Sequence, residues 1–221
     1  MEQSLRLREF MEVGLGKLAP ERSSLKIALI GMPGSGKSFW AEKLNRVGFS
    51  VICMDDLIAI RFKEVGIEED LKKWVGMPFD LRYKKASKIY LNIQNEILED
   101  LMIKLGGLDS RVVFDMSDSL IYLKQKVLTK LSLMTRIVFL DRPSSLQERL
   151  NNLYLREGKP VIWGEVYRLN HDEDCLKAVG RCYPRLLKFR VGRYRRLAEK
   201  IVKCQNYSEN YSAENFLSDI S

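Results

Sequence analysis

Histidine occurs once in this 221-residue chain, and its four cysteines never fall into a C-x-x-C pair. Neither a zinc ribbon nor a dithiol redox motif is suggested, and Cys53, Cys175, Cys182 and Cys204 read as reduced thiols. The lone His171 sits in the acidic stretch NHDEDC, which reads as a solvated loop rather than a metal cluster. No apolar run approaches the roughly 18 residues that would cross a bilayer. The opening MEQSLRLREFMEVGLGKL has no apolar signal core, which argues against a secretory leader. Glu2, Glu9 and Glu12 argue against a transit peptide. The expected location is the cytoplasm, where the sequons at Asn206 and Asn210 carry no meaning. Internal repeats and low-complexity tracts are also lacking.

What is present is a core and a positive charge. With 46% hydrophobic residues the chain can bury a single domain. The net charge is +8 and the isoelectric point about 9.3, which suits an anionic ligand such as a nucleotide and is compatible with RNA. The charge is uneven, since RCYPRLLKFRVGRYRRLAEK (181–200) holds eight Lys or Arg against one Glu.

The stretch IALIGMPGSGKSFWAEKL (27–44) carries the sharpest signal. Gly31, Gly36, Lys37 and Ser38 fit G-x-x-x-x-G-K-[ST], the phosphate-binding P-loop. The glycines let backbone N–H groups wrap phosphates, and the helix that follows turns its positive end toward them. Lys37 is expected to reach the β- and γ-phosphates and Ser38 to bind Mg²⁺. Gly31, Pro33, Gly34, Ser35, Gly36, Lys37, Ser38 and Phe39 form the expected nucleotide set. An apolar strand before the loop and a helix after it supply the context that the motif needs.

Apolar runs at 25–30, 49–54, 111–115 and 136–141, with a fifth at 200–204, read as strands. The first, third and fourth are near-continuous, as in a parallel sheet covered on both faces. Helical spacing separates them at 38–46, 86–105, 119–131, 144–153 and 184–201, the last with a stripe of Leu187, Val191, Tyr194, Ala198 and Ile201. A short helix is expected from Ser212. The alternation predicts an α/β fold, a doubly wound, mostly parallel five-stranded sheet with helices on both faces. The expected divisions are an N-terminal extension over 1–24 and a P-loop domain over 25–221. Within that domain a largely helical substrate-binding insertion spans about 55–107 and a lid about 154–167.

Three further groups complete the chemistry. RVVFD ends on Asp115, where a Walker B carboxylate would hold Mg²⁺; the alternative is that the stretch serves as a helix cap through Asp118 or Ser119, with no metal role for Asp115. Asp55 and Asp56 follow the second strand at the ligand-binding edge of an open α/β sheet. There Asp55 could orient or deprotonate an acceptor hydroxyl, or cap the helix. In the lid, Arg156 and Lys159 could close over the γ-phosphate.

With these motifs on the page, the chain resembles the shikimate kinase family of nucleoside-monophosphate-kinase-like P-loop proteins over about 25–204. GMPGSGKS, GFSVICMDDLI, IVFLDRPSSLQERL, GKPVIW and LLKFRVGRYRRLAEKIV carry the resemblance. It implies ATP and Mg²⁺ as cosubstrate and metal, Asp55 as a substrate contact, and Arg190, four residues before Tyr194, as a substrate-binding arginine. Arg82 in FDLRY is a second candidate. Lys159-Pro160 stands where the lid of the family has Arg-Pro, which keeps a cation and loses a bidentate fork. Cys53 stands where the family has its first Asp, leaving Asp115 to supply the magnesium carboxylate. DMSDS replaces a Gly-Gly-Gly substrate loop, so shikimate itself is not the expected acceptor.

The expectation is thus an ATP-dependent kinase acting on a hydroxyl of a small, anionic metabolite. Lys37, Asp55 and Arg156 are catalytic, Lys159 joins the nucleotide set, Asp55, Arg82 and Arg190 hold the acceptor, and Ser38 and Asp115 hold the metal. The alternatives are a nucleoside or nucleotide kinase, or an inactive nucleotide-binding or RNA-associated protein using the 181–200 face. A nucleic-acid partner is not favoured, and no membrane partner is expected.

Overall fold

A computed structural model describes residues 24–106, 110–142, 161–203 and 211–221. Its five strands are β1 (Leu25–Ile30), β2 (Ser50–Cys53), β3 (Arg111–Asp115), β4 (Arg136–Asp141) and β5 (Lys200–Lys203). They form one sheet of order β2-β3-β1-β4-β5, and every neighbouring pair runs parallel. The seven α-helices are α1 (Lys37–Asn45), α2 (Met54–Glu64), α3 (Leu71–Val75), α4 (Tyr83–Leu105), α5 (Gln125–Met134), α6 (Cys175–Leu197) and α7 (Ala213–Ile220), counted among the described residues.

The period-2 alternation of side chains sorts the apolar strand residues into two cores. Ala28, Ile30, Val112, Phe114, Ile137 and Phe139 face α2, α4, α5 and α6. Ile27, Leu29, Val113, Val138, Leu140 and Val202 face α1 and α7. Helices thus cover both faces, and β1, β3 and β4 are almost entirely buried, which explains their continuous apolar runs. On the second face the ring of Trp40 in α1 stacks on Phe216 in α7, centroids 4.1 Å apart.

Two helices depart from expectation. The segment 119–131 is not one helix but a 3₁₀ turn, Asp118–Tyr122, followed by α5. Leu123 and Lys124 between them are extended, and the side chain of Asn95 in α4 accepts the Lys124 N–H at 3.1 Å. A tertiary hydrogen bond thus captures a donor that a continuous helix would have used. The helix expected over 184–201 begins nine residues earlier and is α6. Asp174 caps it by accepting the N–H groups of Leu176 and Lys177, both at 3.0 Å. It also ends earlier, so that Ile201 lies in β5 and is 47% exposed. The core stripe of α6 therefore keeps Leu187 and Tyr194 and loses Ile201. The helix expected at 144–153 lies outside the described residues.

Candidate functional site

The loop between β1 and α1 holds the shape that the motif requires. Gly36, at the N-cap of α1, has φ 96°, and a Cβ on Gly31 would sit 2.8 Å from Ser35 Oγ and 3.0 Å from the carbonyl of Leu140. Side chains at these positions would strain the turn or push the loop off the sheet. Ser35 N–H donates to Met32 O at 3.1 Å, and Ser35 itself is buried. Pro33 and Gly34 form the exposed apex. Lys37 lies back across the loop, its ammonium donating to the carbonyls of Gly31 at 3.1 Å and Met32 at 3.3 Å. Phe39 is 43% exposed, with Lys43 Nζ 4.8 Å from its ring centre.

Asp115 ends β3 beside this loop. Its Oδ2 accepts the Ser38 hydroxyl at 2.6 Å. A hydroxyl and a carboxylate brought together by two elements are hard oxygen donors of the kind that Mg²⁺ takes alongside substrate phosphates and water. The donor set fits the metal expected there. Among the described residues, no group of three or more His, Cys, Asp or Glu forms a protein-only metal cage. Cys53 is the register partner of Asp115 on β2. Burial pushes its thiol up to about 11, and the Asp56 and Asp115 charges work in the same direction. The side chain at this position is therefore a neutral thiol at physiological pH, a poor ligand for a hard cation.

Asp55, in the first turn of α2, faces a cavity of about 230 Å³. Ile58, Leu71, Val75, Val161 and Ile162 supply its apolar wall, and Tyr90, Ser117, Asp118 and Ser119 its polar one. Asp55 is exposed to solvent and also lines this recess. Burial, then the charge of Asp118, hold its carboxyl above the ordinary carboxylate range, against a hydrogen bond from Ser117 and the charge of Lys37. A hydroxyl chain runs along the polar wall: Tyr90 with Ser117 at 3.3 Å, Ser117 with Ser119 at 3.0 Å, and Ser119 to the carbonyl of the Gln94 side chain at 2.7 Å.

The two arginines expected to meet an anionic acceptor have other partners. Arg190 is 2% exposed; it forms an ion pair with Asp118 and donates to the carbonyl of Ile162 at 2.7 Å. It is not among the residues that line the cavity, and its charge is met by Asp118, which is. The position at the border of the core stripe was legible from helical spacing; the partner was not. Arg82 precedes α4, donates to the carbonyl of Lys73 at 2.7 Å, and lies 3.8 Å from Glu69, outside the cavity lining.

Arg156 and Lys159 lie outside the described residues. Residues 161–163, within the segment expected to close as a lid, are instead fastened to the body. The Tyr83 hydroxyl accepts the Trp163 N–H at 2.6 Å and donates to the Val161 carbonyl at 3.2 Å, and Trp163 is fully buried. Val161 and Ile162 line the cavity described above.

Sequence reasoning missed Tyr90, Ser117, Ser119 and the Asp118–Arg190 pair. It also missed Arg142, just after β4, whose Nε donates to the carbonyl of Ser35 at 3.3 Å and so fastens the phosphate loop. A cation directly after a buried strand, at the ligand edge of the sheet, was the available signal for Arg142. Nothing local marked the others.

No protein-family model matches the sequence, and no curated protein matches it at the sequence level. Solved structures do match. Shikimate kinase from Acinetobacter baumannii, in complex with shikimate, superposes at a TM-score of 0.54 and 16% identity, over 89% of this chain and 90% of that one. Shikimate kinase from Bacteroides thetaiotaomicron superposes at 0.52 and 16% identity, over 88% and 94%. Strand order, loop and helical layers agree with these comparisons: the chain has a shikimate-kinase-like P-loop kinase fold.

Proposed function

We propose that this protein is a phosphotransferase that moves the γ-phosphoryl group of ATP onto a hydroxyl of a small molecule. The observation that carries the reading is the convergence of three groups from three strand ends. These are the phosphate loop after β1, Asp55 after β2, and Asp115 at the end of β3 with its bond to Ser38.

In this reading the loop amides and the N-terminus of α1 bind the phosphates of ATP. Lys37 turns from the Gly31 and Met32 carbonyls to the β- and γ-phosphates. Ser38 and Asp115 would hold Mg²⁺, which supplies positive charge to the phosphate oxygens. The acceptor lies in the cavity, where Asp55 orients its hydroxyl and takes the proton as the new O–P bond forms. The bond between the γ-phosphorus and the bridging oxygen breaks, and ADP leaves. A carboxylate held above its ordinary range is better matched to that proton than a free one. Arg156 and Lys159 remain the proposed lid cations.

The rival reading, an RNA-associated protein using α6, has less support. Arg185, Lys188 and Arg196 are exposed, but Phe189, the exposed ring on α6, already stacks on Tyr122 at 6.1 Å and lies under Arg193. It offers little free face to a base.

The test is acceptor-dependent ADP release from ATP and Mg²⁺ over a panel of small hydroxyl compounds, with phosphorus NMR to identify the monoester formed. Turnover lost in Lys37→Ala supports the reading. Tight ATP binding with no acceptor-dependent release across the panel would favour a non-catalytic nucleotide-binding protein.

A further inference from the structure

The acceptor cavity described above contains an answer to which charge it accepts, provided that it is the acceptor site of the phosphotransferase proposed. Its described lining includes two carboxylates, Asp55 and Asp118, and no lysine or arginine. The nearby guanidinium, Arg190, is spent. Nη1 is paired with Asp118 and Nη2 with the Ile162 carbonyl; Nε has no partner among the described residues, but it is buried and the side chain is 2% exposed, so it is out of a substrate's reach. The residue that would be expected to recognise an anionic substrate is therefore occupied by a carboxylate of the protein itself.

We infer that Asp118 acts as a built-in anion that closes Arg190 to the substrate, and that the acceptor is an uncharged or amine-bearing hydroxyl compound rather than an acid or a phosphate ester. Two observations combine in this. With Asp118 neutralised by Arg190, Asp55 leaves the described lining with a net negative charge. An entering carboxylate would meet that charge with no cation in the described lining to offset it, and like charges a few ångströms apart near a protein surface repel. The same field favours an ammonium group. The Tyr90–Ser117–Ser119 hydroxyl chain and the Asp55 carboxylate supply both donors and acceptors for a compound with several hydroxyls. The wall of Ile58, Leu71 and Val75 takes its apolar side.

The experiment measures binding without turnover. Three hydroxylated scaffolds (a cyclohexene ring as in shikimate, a ribose and a glycerol) are each prepared as the carboxylic acid, its methyl ester and its 2-aminoethyl amide. Their binding to the full chain is measured by ligand-observed NMR, with and without ADP and Mg²⁺. On at least one scaffold the ester and the amine should bind about tenfold or more tightly than the acid. Asp118→Asn, which keeps the shape and frees the Arg190 charge, should shift the order toward the acid by a similar factor, an effect that mere loosening of the fold would not produce. If that variant does not fold, the order in the unmodified protein decides. Equal or tighter binding of the acids overturns the inference, and so does failure of every compound to bind. Nucleotide binding is read separately in the same samples, so a failure of the phosphotransfer reading is distinguishable from a failure of the charge order.

Discussion

Ser38, at the start of α1, and Asp115, at the end of β3, are 77 residues apart in sequence and share a hydrogen bond of 2.6 Å. The pair places a hydroxyl and a carboxylate beside the phosphate loop, where neither could assemble a metal site alone. Asp115→Asn keeps the shape and removes the charge. It should raise the Mg²⁺ concentration needed for half-maximal turnover at least tenfold, since even residues outside the ligand shell commonly alter metal affinity by about 10–100-fold. Cys53→Ser should leave that requirement nearly unchanged, because burial keeps the thiol protonated, with a pKa of about 11. A Mg²⁺ titration of both variants checks the assignment; a crippled Cys53→Ser beside a silent Asp115→Asn would reverse it.

Asp55 offers a test of function against stability. Its carboxyl lies above the ordinary range because of burial and the charge of Asp118. A raised value means that the fold favours the protonated form. The associated stability is present below the unfolded-state pKa and is lost as pH rises through the folded-state value. At neutral pH, ionised Asp55 is therefore a cost to the fold. Asp55→Asn should match or exceed the parent in melting temperature at pH 7, lose that advantage at low pH, and cut kcat by about 10²–10⁴-fold. In the parent, kcat/KM should fall on the acid side with an apparent pKa above 3.8, the ordinary value for aspartate. Absence of that limb would remove Asp55 as the base.

The sheet was legible because burial on both faces writes continuous apolar runs into a sequence, and three of the five strands match their expected bounds to the residue: Leu25–Ile30, Arg111–Asp115 and Arg136–Asp141. The phosphate loop was legible because its backbone geometry admits few side chains. Helix ends were less so. The apolar stripe marked the helix only from 184 onward, yet α6 begins at Cys175 and Pro184 lies inside it. The Asp174 cap that begins the helix was hidden in a run of charged residues. The cavity at Asp55 was hardest to read, because Asp118 and Arg190 meet across 72 residues. Helical spacing can place an arginine at a core border, but not name the carboxylate that neutralises it.

Lys37 separates chemistry from folding. Its ammonium bonds two carbonyls of its own loop, at 3.1 and 3.3 Å, in a partly buried setting. Such bonds each contribute about 1 kcal/mol net, and at this chain length 1 kcal/mol shifts a melting temperature by about 2–4 °C. Lys37→Ala should therefore melt within several degrees of the parent while losing at least about 10²-fold in kcat, the scale of removing one preorganised charge donor. Calorimetry and turnover on the same preparation check both halves. Wild-type turnover in this variant would defeat the kinase reading.

Phe216 tests whether the C-terminal helix supports the nucleotide site from behind. Its ring is fully buried and stacked on Trp40 at 4.1 Å with an interplanar angle of 16°. Trp40 lies two residues after Ser38 on α1, so the stack braces the helix whose first turn would bind phosphate. Ser212 caps α7 by accepting the Asn215 N–H at 3.1 Å, which fixes where that helix begins. Phe216→Ala removes a buried aromatic ring and should destabilise the protein by about 3–5 kcal/mol, lowering the melting temperature on the order of 10 °C. Well below that temperature the folded variant should bind ATP more weakly through a less rigid α1, with KM for ATP rising more than kcat falls. Phe216→Leu keeps most of the volume and should recover most of both losses. A large thermal shift with unchanged ATP affinity would confine α7 to stability, and no thermal shift at all would mean that the stack does not hold α1 in place.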